Sequence, residues 1–328
     1  MPEARRLSYI ESVNAAIGQC LATDPSAIVF GEDVAKPGGV FGATKGLATQ
    51  FPGRVFDTPI SEAAILGSAV GAAMLGLKPI VEIMWVDFSL VALDQIVNQA
   101  ANVRYVFNGT LTAPITIRTQ QGALPGSCAQ HSQSLEAIFA HIPGLRVCLP
   151  STPQDAYDLL VAAAAAADPV VVIEHRKLYF GPKDDVTLSD VPQPLGGARV
   201  RRHGSSCTAV TWGAITNDVI AAAELLVVDG FEIEVIDARW LAPFDWDMVG
   251  ASVARTGRCL VVHEANVTGG FGAEVAAGVS ERWFHSLDAP VRRLGAPDLR
   301  MPAAPTLQAA VVPTVARIVE QLRQSCQE

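Results

Sequence analysis

The chain has 328 residues, half of them hydrophobic and 17% charged, with a formal net charge of −9. That length is enough for two domains with real cores, and the composition excludes a disordered chain. The acidic balance offers no surface for nucleic acid or for an anionic membrane.

Six single cysteines (Cys20, Cys128, Cys148, Cys207, Cys259 and Cys326) form no Cys-x-x-Cys pair and no zinc spacing with the six histidines. Scattered thiols suit a reducing compartment. The start, Met1-Pro2-Glu3-Ala4-Arg5-Arg6, has no apolar signal core, and helical sequence begins almost at once. The alanine run 162–167 ends at Asp168-Pro169, too short to span a bilayer. A soluble cytoplasmic protein is expected.

Strands and helices alternate along the chain. Residues 27–30 form a short apolar strand ending at Gly31-Glu32-Asp33. Thr58-Pro59-Ile60-Ser61-Glu62 opens a helix, with Thr58 able to cap, Pro59 suited to the first turn and Glu62 favoured at the positive end. Gly67, Ala69, Gly71, Ala72 and Ala73 let that helix pack closely. Residues 79–86 read as a buried strand, 90–105 as an amphipathic helix and 113–118 as a strand. Strand 145–149, helix 155–167 and strand 170–174 complete this half. The proline- and glycine-rich stretch 181–197 reads as a linker. Strands 207–212, 232–236, 259–263 and 290–294 follow, each with a helix, and the last helix runs from Thr306 towards Arg323. The alternation predicts parallel sheets in two α/β domains.

Four constellations carry possible chemistry. Asp57 to Glu62 sets a carboxylate at the start of an apolar helix; capping is the bland reading, a proton-sharing carboxyl raised by burial the functional one. Glu82 to Phe88 brings Met84, Trp85 and Phe88 to a strand edge, either as core or as apolar walls for a flat heterocycle. His131 stands in Ala129-Gln130-His131-Ser132-Gln133, in a loop with Gly122, Pro125 and Gly126; a lone histidine is usually structural or solvated, but a glycine-bearing loop before a helix is also a place for an acid–base group. His263-Glu264-Ala265, before Thr268-Gly269-Gly270-Phe271-Gly272, lacks the third glycine of a dinucleotide loop because Val275 stands there. A tight strand-to-helix turn is the better reading, without chemistry.

Taken in order, these segments resemble one family. Gly31-Glu32-Asp33-Val34, Phe56 to Glu62, Leu93 to Ala101 and Ala129 to Gln133 look like the beta subunits of thiamine-diphosphate-dependent 2-oxoacid dehydrogenases. Pro143-Gly144-Leu145, Pro150-Ser151-Thr152-Pro153, the His263 to Glu274 segment and Ala296-Pro297-Asp298 extend the likeness nearly to the end. The resemblance implies a transketolase-like fold of two three-layer α/β domains with mostly parallel sheets. A pyrimidine-binding domain would span 1–185, a linker 186–200 and a C-terminal domain 201–328.

By the same resemblance Glu62 is the carboxylate facing N1′ of the thiamine aminopyrimidine, where a shared proton activates the thiazolium. Met84 and Phe88 match positions that pack on that ring, and His131 matches the histidine near the substrate and the lipoyl group. Glu32 matches an acidic position in the channel between paired sites. Ile115, Ala163, Ala166 and Asp168 fall where the family holds a structural potassium ion. No Gly-Asp-Gly segment for the diphosphate and Mg²⁺ exists in the chain. The resemblance therefore implies an alpha subunit supplying that half in an α₂β₂ heterotetramer, beside a lipoyl-bearing acyltransferase core.

The segment Arg239-Trp240-Leu241-Ala242-Pro243-Phe244 is bulkier than the family's usual one, and residues 301–310 lack acidic residues often found there. Thr44-Lys45-Gly46-Leu47, Arg104-Tyr105-Val106-Phe107 and the Ala129 to Gln133 run look more like pyruvate or acetoin enzymes than branched-chain ones. The alternatives are a split transketolase, disfavoured because the His131 loop offers one histidine for sugar phosphates, and a noncatalytic nucleotide-binding or scaffold module.

Overall fold

Strands and helices alternate as expected and separate into two α/β units in the computed structural model, which describes residues 3–328. The first unit holds residues up to 121 and 138–195; the second holds 122–137 and 196–328.

In the first unit, β1 (Glu3–Leu7) pairs antiparallel with β8 (Asp184–Leu188). The remaining strands are β2 (Ala27–Gly31), β3 (Val55–Asp57), β4 (Lys78–Ile83), β5 (Thr116–Gln121), β6 (Arg146–Cys148) and β7 (Val170–His175). They lie side by side in the order β6-β7-β5-β4-β2-β3, all parallel. The central β5 and β7 are buried at every residue, the pattern of parallel strands covered on both faces. The helix Tyr9–Thr23 starts on a capping box, Ser8 with Glu11, and packs against the helix Pro153–Ala165, which Thr152 caps.

In the second unit, β9 (Arg199–Arg202), β10 (Cys207–Thr211), β11 (Ile233–Asp237), a short β12 (Trp240–Ala242), β13 (Cys259–Asn266) and β14 (Arg292–Ala296) follow in the chain. A sheet of order β14-β13-β10-β11-β9 is parallel except for β9. Ile215, Val219 and Ala222 of the helix Ile215–Leu225 and Ile318 and Leu322 of the helix Val315–Gln327 bury against Val235, Leu260 and Val262. Burying those apolar faces is the main stabilisation of the layer.

Four expectations change. The single helix over 90–105 is instead a 3₁₀ turn Val86–Ala92, a π turn Gln95–Gln99, a 3₁₀ turn Ala100–Asn102 and an α turn Val103–Val106. Asn98 bonds Asp94, and the Asn102 amide donates to the Asn98 carbonyl, so side chains compete with a regular ladder there. The last helix is broken into Pro305–Val311 and Val315–Gln327, because Pro313 lacks an amide hydrogen and holds Val312 extended, and Thr314 caps the second piece. The stretch 181–197 is only partly linker, since residues 184–188 pair as β8. Residues 122–137, expected within a first domain of 1–185, pack with the second unit: the Leu124 carbonyl accepts from Gln308, and the Gly126 amide donates to the Ala303 carbonyl.

Candidate active site

The C-terminal edge of the first sheet gathers the residues expected around a ring. Gly31 ends β2 opposite Asp57 of β3 and Glu82 of β4. A Cβ on Gly31 would stand 2.7 Å from the Glu82 carbonyl oxygen, so only glycine fits immediately before Glu32. Asp57 is structural: its two oxygens accept the Ala35 and Lys36 amides at 2.6 and 3.2 Å. The helix opens at Glu62, not at Thr58; the Ser61 hydroxyl caps it by accepting the Ala64 amide. Thr58, held extended by Pro59, donates its amide to the Gly31 carbonyl instead.

Glu62 is thus the first helical residue and is partly exposed in this chain rather than fully buried. Burial raises the pKa of the neighbouring Glu32, and the charges of Asp33 and Glu62 raise it further, so Glu32 and Glu62 are near neighbours. Met84 follows β4 directly and Phe88 sits on the 3₁₀ turn that packs against the Glu62 helix; both are half-buried. Trp85 is half-buried as well, stacked under the Arg176 guanidinium at 3.7 Å and edge-on to Phe41. Thr58 Oγ1, Thr119 Oγ1, Gln120 Oε1 and Gln121 Oε1 are buried without a hydrogen-bond partner. Buried polar atoms are normally paired, so this edge fits a bound polar group or a neighbouring chain. Two neighbouring carboxylates and the half-buried Met84 and Phe88 on one sheet edge suit the aminopyrimidine of thiamine: apolar walls for the ring and a proton carrier at its nitrogen.

His131 is half-buried in the loop of the second unit. Gly122, Gly126 and Cys128 all have positive φ there, and the Ser127 and Ser132 hydroxyls bond each other at 2.6 Å across His131. The other expected positions lie in the first unit. Ile115 accepts the Val170 amide, Ala163 accepts the Ala166 amide, and Asp168 pairs with Arg104 at 2.6 Å. These residues surround the turn from the helix Pro153–Ala165 into β7, where helix-end carbonyls suit a cation. Among the described residues, no three His, Cys, Asp or Glu side chains cluster to hold a metal.

The His263 segment is the strand-to-helix turn expected, with the helix Phe271–Arg282 starting after Gly270. Its glycines make room for the His263 ring: a Cβ on Gly272 would stand 2.4 Å from it, and one on Gly270 or Gly295 within 3 Å. The ring stacks on Trp212 at 5.4 Å, and burial pushes its pKa down to about 4 from 6.5. Between those values the unfolded chain binds a proton that the folded chain does not. Stability is therefore expected to fall by roughly 3 kcal/mol as the pH drops from 6.5 through 4. Urea unfolding at several pH values, with His263→Gln beside the wild type, checks this. The variant should have the shallower acid slope, and equal slopes would overturn the assignment.

Sequence reasoning missed Trp212 and Glu136 and set Glu264 aside. Trp212 Nε1 donates to Glu136 Oε1 at 3.1 Å, and Glu264 Oε1 accepts the Ala123 amide at 3.0 Å. These partners are far apart in the chain, and no local pattern signals them.

Two family descriptions match the chain: "Transketolase, pyrimidine binding domain" over residues 5–182 and "Transketolase, C-terminal domain" over residues 196–318. The chain is 42% identical to the 2-oxoisovalerate dehydrogenase subunit beta of Bacillus subtilis (strain 168), with 92% of this chain and 93% of that one aligned. It is 40% identical to the acetoin:2,6-dichlorophenolindophenol oxidoreductase subunit beta of Cupriavidus necator, over 98% of both chains. Against the pyruvate dehydrogenase E1 component subunit beta of Leifsonia xyli subsp. xyli it is 40% identical, over 99% of this chain and 96% of the relative. A solved split gene transketolase, an inactive beta4 tetramer, superposes with a TM-score of 0.80 over 98% of both chains at 23% identity, a likeness of fold.

Proposed function

The chain belongs to the transketolase-type family of 2-oxoacid and acetoin dehydrogenase beta subunits, and from that membership we propose that it is the beta half of a thiamine-diphosphate-dependent dehydrogenase acting on pyruvate or acetoin. The observation that carries the reading is the sheet edge where Glu32 and Glu62 are neighbours and the helix that Glu62 opens packs on the turn carrying half-buried Phe88, just after Met84, in a chain without a Gly-Asp-Gly segment. The first unit provides the pyrimidine side of the cofactor site, and an alpha subunit provides the diphosphate and Mg²⁺ side. Val91, Tyr105 and Val106, exposed on the irregular run 86–106, are apolar surface that a subunit interface would cover.

When bound, thiamine diphosphate supplies a thiazolium that takes up the electron pair released from the substrate. Glu62 holds the proton at N1′ of the aminopyrimidine, while Met84 and Phe88 fix the plane of that ring. Glu32, whose pKa is raised by burial and by the charges of Asp33 and Glu62, is a second carboxyl beside Glu62. His131 moves a proton at the substrate oxygen during cleavage or transfer to a lipoyl group. Ile115, Ala163, Ala166 and Asp168 hold a structural potassium ion, with the first three offering backbone oxygens. The assembly is an α₂β₂ heterotetramer in the cytoplasm, beside a lipoyl-bearing acyltransferase core. The relatives named for pyruvate, acetoin and 2-oxoisovalerate match almost equally, so the choice of pyruvate or acetoin rests on the segments Thr44 to Leu47, Arg104 to Phe107 and Ala129 to Gln133.

Titration calorimetry tests the half-site. The chain alone should show no tight magnesium-dependent binding of thiamine diphosphate, whereas the reconstituted complex should; micromolar binding by the chain alone would sink the reading. The complex is then given pyruvate, acetoin, 2-oxoisovalerate and a ketose phosphate with suitable acceptors. Fastest turnover of the ketose phosphate would overturn the dehydrogenase assignment. A preference for 2-oxoisovalerate would overturn only the substrate, since a methylene in an apolar pocket discriminates by roughly 1–3 kcal/mol.

A further inference from the structure

The loop that carries His131 has little regular structure to fix it. Gly122, Gly126 and Cys128 turn with positive φ, and a cavity of about 340 Å³ lies between Ser132 and Gln133 on one side and Glu264 and Asn266 on the other. Polar ties must therefore hold the loop: Leu124, Gly126 and Gln133 along it bond Gln308, Ala303 and Arg300 of the C-terminal segment, and two further ties at its ends reach the sheet. At the start, the Ala123 amide donates to Glu264 Oε1 at 3.0 Å. At the end, Glu136 Oε1 accepts from the Trp212 indole at 3.1 Å. Glu264 lies on β13, and Trp212 immediately follows β10, its parallel neighbour in the sheet. Between them His263, next to Glu264, stacks on the Trp212 ring with 7° between planes and is walled in by Gly270, Gly272 and Gly295. Both ends of the loop are thus tied to one rigid block of two paired strands. Both ties end on a glutamate carboxyl, one accepting from a backbone amide and the other from an indole.

We propose that Glu264 and Trp212 are positioning residues: they clasp the ends of the 123–136 loop and so set the place from which His131 reaches the substrate. The inference rests on the acid–base reading of His131, and its test separates the two. Cys128, three residues before His131, is a half-buried free thiol and reports on loop order.

The variants are Glu264→Ala, Glu264→Gln, Trp212→Phe and His131→Ala. In the full chain, alkylation of Cys128 by iodoacetamide and hydrogen exchange of amides 123–128 are followed by mass spectrometry. Glu264→Ala is expected to speed both several-fold while amides of β10 and β13 keep their protection. Trp212→Phe, which keeps the stack but removes the indole donor, should loosen the other end. In the complex, Glu264→Ala should lower kcat with unchanged affinity for thiamine diphosphate. Glu264→Gln, whose amide oxygen still accepts the Ala123 amide, should restore most of the turnover and the slow alkylation. His131→Ala should lower kcat without loosening amides 123–128. Unchanged alkylation and exchange in Glu264→Ala, a glutamine variant as damaged as the alanine one, or a loosened loop with unaltered kcat would each overturn the positioning role. If His131→Ala keeps its turnover while Glu264→Ala still loosens the loop and loses kcat, the clasp stands and the acid–base reading of His131 falls.

Discussion

Replacing Glu62 by glutamine is expected to slow activation of the bound cofactor by roughly 10²–10⁴-fold, the usual contribution of an acid–base group, with the fold kept. Glutamine has the same length, and Ser61, not Glu62, supplies the side-chain cap, so the helix Glu62–Met74 keeps its start. The amide can still meet N1′, but it has no ionisable proton to share with it. Exchange of the thiazolium C2 proton in the assembled complex reads the step directly, and circular dichroism checks the fold. Glu32→Gln is the matched control. It removes the neighbouring carboxyl whose pKa is raised by burial and by the charges of Asp33 and Glu62, and it should slow exchange far less. Wild-type exchange in Glu62→Gln would remove Glu62 from the role. Loss only in Glu32→Gln would hand the role to Glu32.

What could be read beforehand follows the reach of each physical signal. The buried strand β7 opens on a continuous apolar run and was legible to within a residue. By contrast β5 buries Thr116, Arg118, Thr119, Gln120 and Gln121, so the apolar signal placed it at 113–118, three residues early. The Glu62 segment and the absence of Gly-Asp-Gly were legible because they are contiguous. The cap went to Ser61 because the chain must first pass Pro59 in extended form, a competition between two adjacent signals that composition does not decide. The π turn at Gln95–Gln99 hid behind a helical period, and Pro313 was overridden by apolar residues on both sides. Glu264 and Glu136 were illegible for a different reason. Their partners, Ala123 and Trp212, lie 141 and 76 residues away, and only the fold brings them within 3.1 Å.

A second long-range group, in the first unit, is expected to show the largest stability effect. Arg118 is 1% exposed and bridges three strands: Nη1 donates to Glu82 at 2.6 Å, and Nε and Nη2 donate to Glu174 at 2.7 and 3.0 Å. Tyr179 donates its hydroxyl to the same Glu174 at 2.6 Å. Arg118→Met leaves two buried carboxylates without their cation and should cost about 3–5 kcal/mol. Burial already raises the pKa of Glu82 while Arg118 opposes it, so removing Arg118 must raise it further. A carboxyl with a raised folded pKa binds its proton more tightly in the folded chain, and stability then falls as the pH climbs above the unfolded value. The gap between Arg118→Met and wild type should therefore widen from about pH 5 to about pH 8. His263 titrates in both proteins and drops out of that difference. Replacing the whole group, as Glu82→Leu, Arg118→Met, Glu174→Leu and Tyr179→Phe together, should recover most of the loss, because apolar residues of similar size commonly match a buried ion pair. Urea unfolding of the full chain at the two pH values decides it. A single-variant loss under about 1 kcal/mol would show that the carboxylates find other partners or water, and a fourfold variant no more stable than Arg118→Met would place the cost in packing rather than in charge.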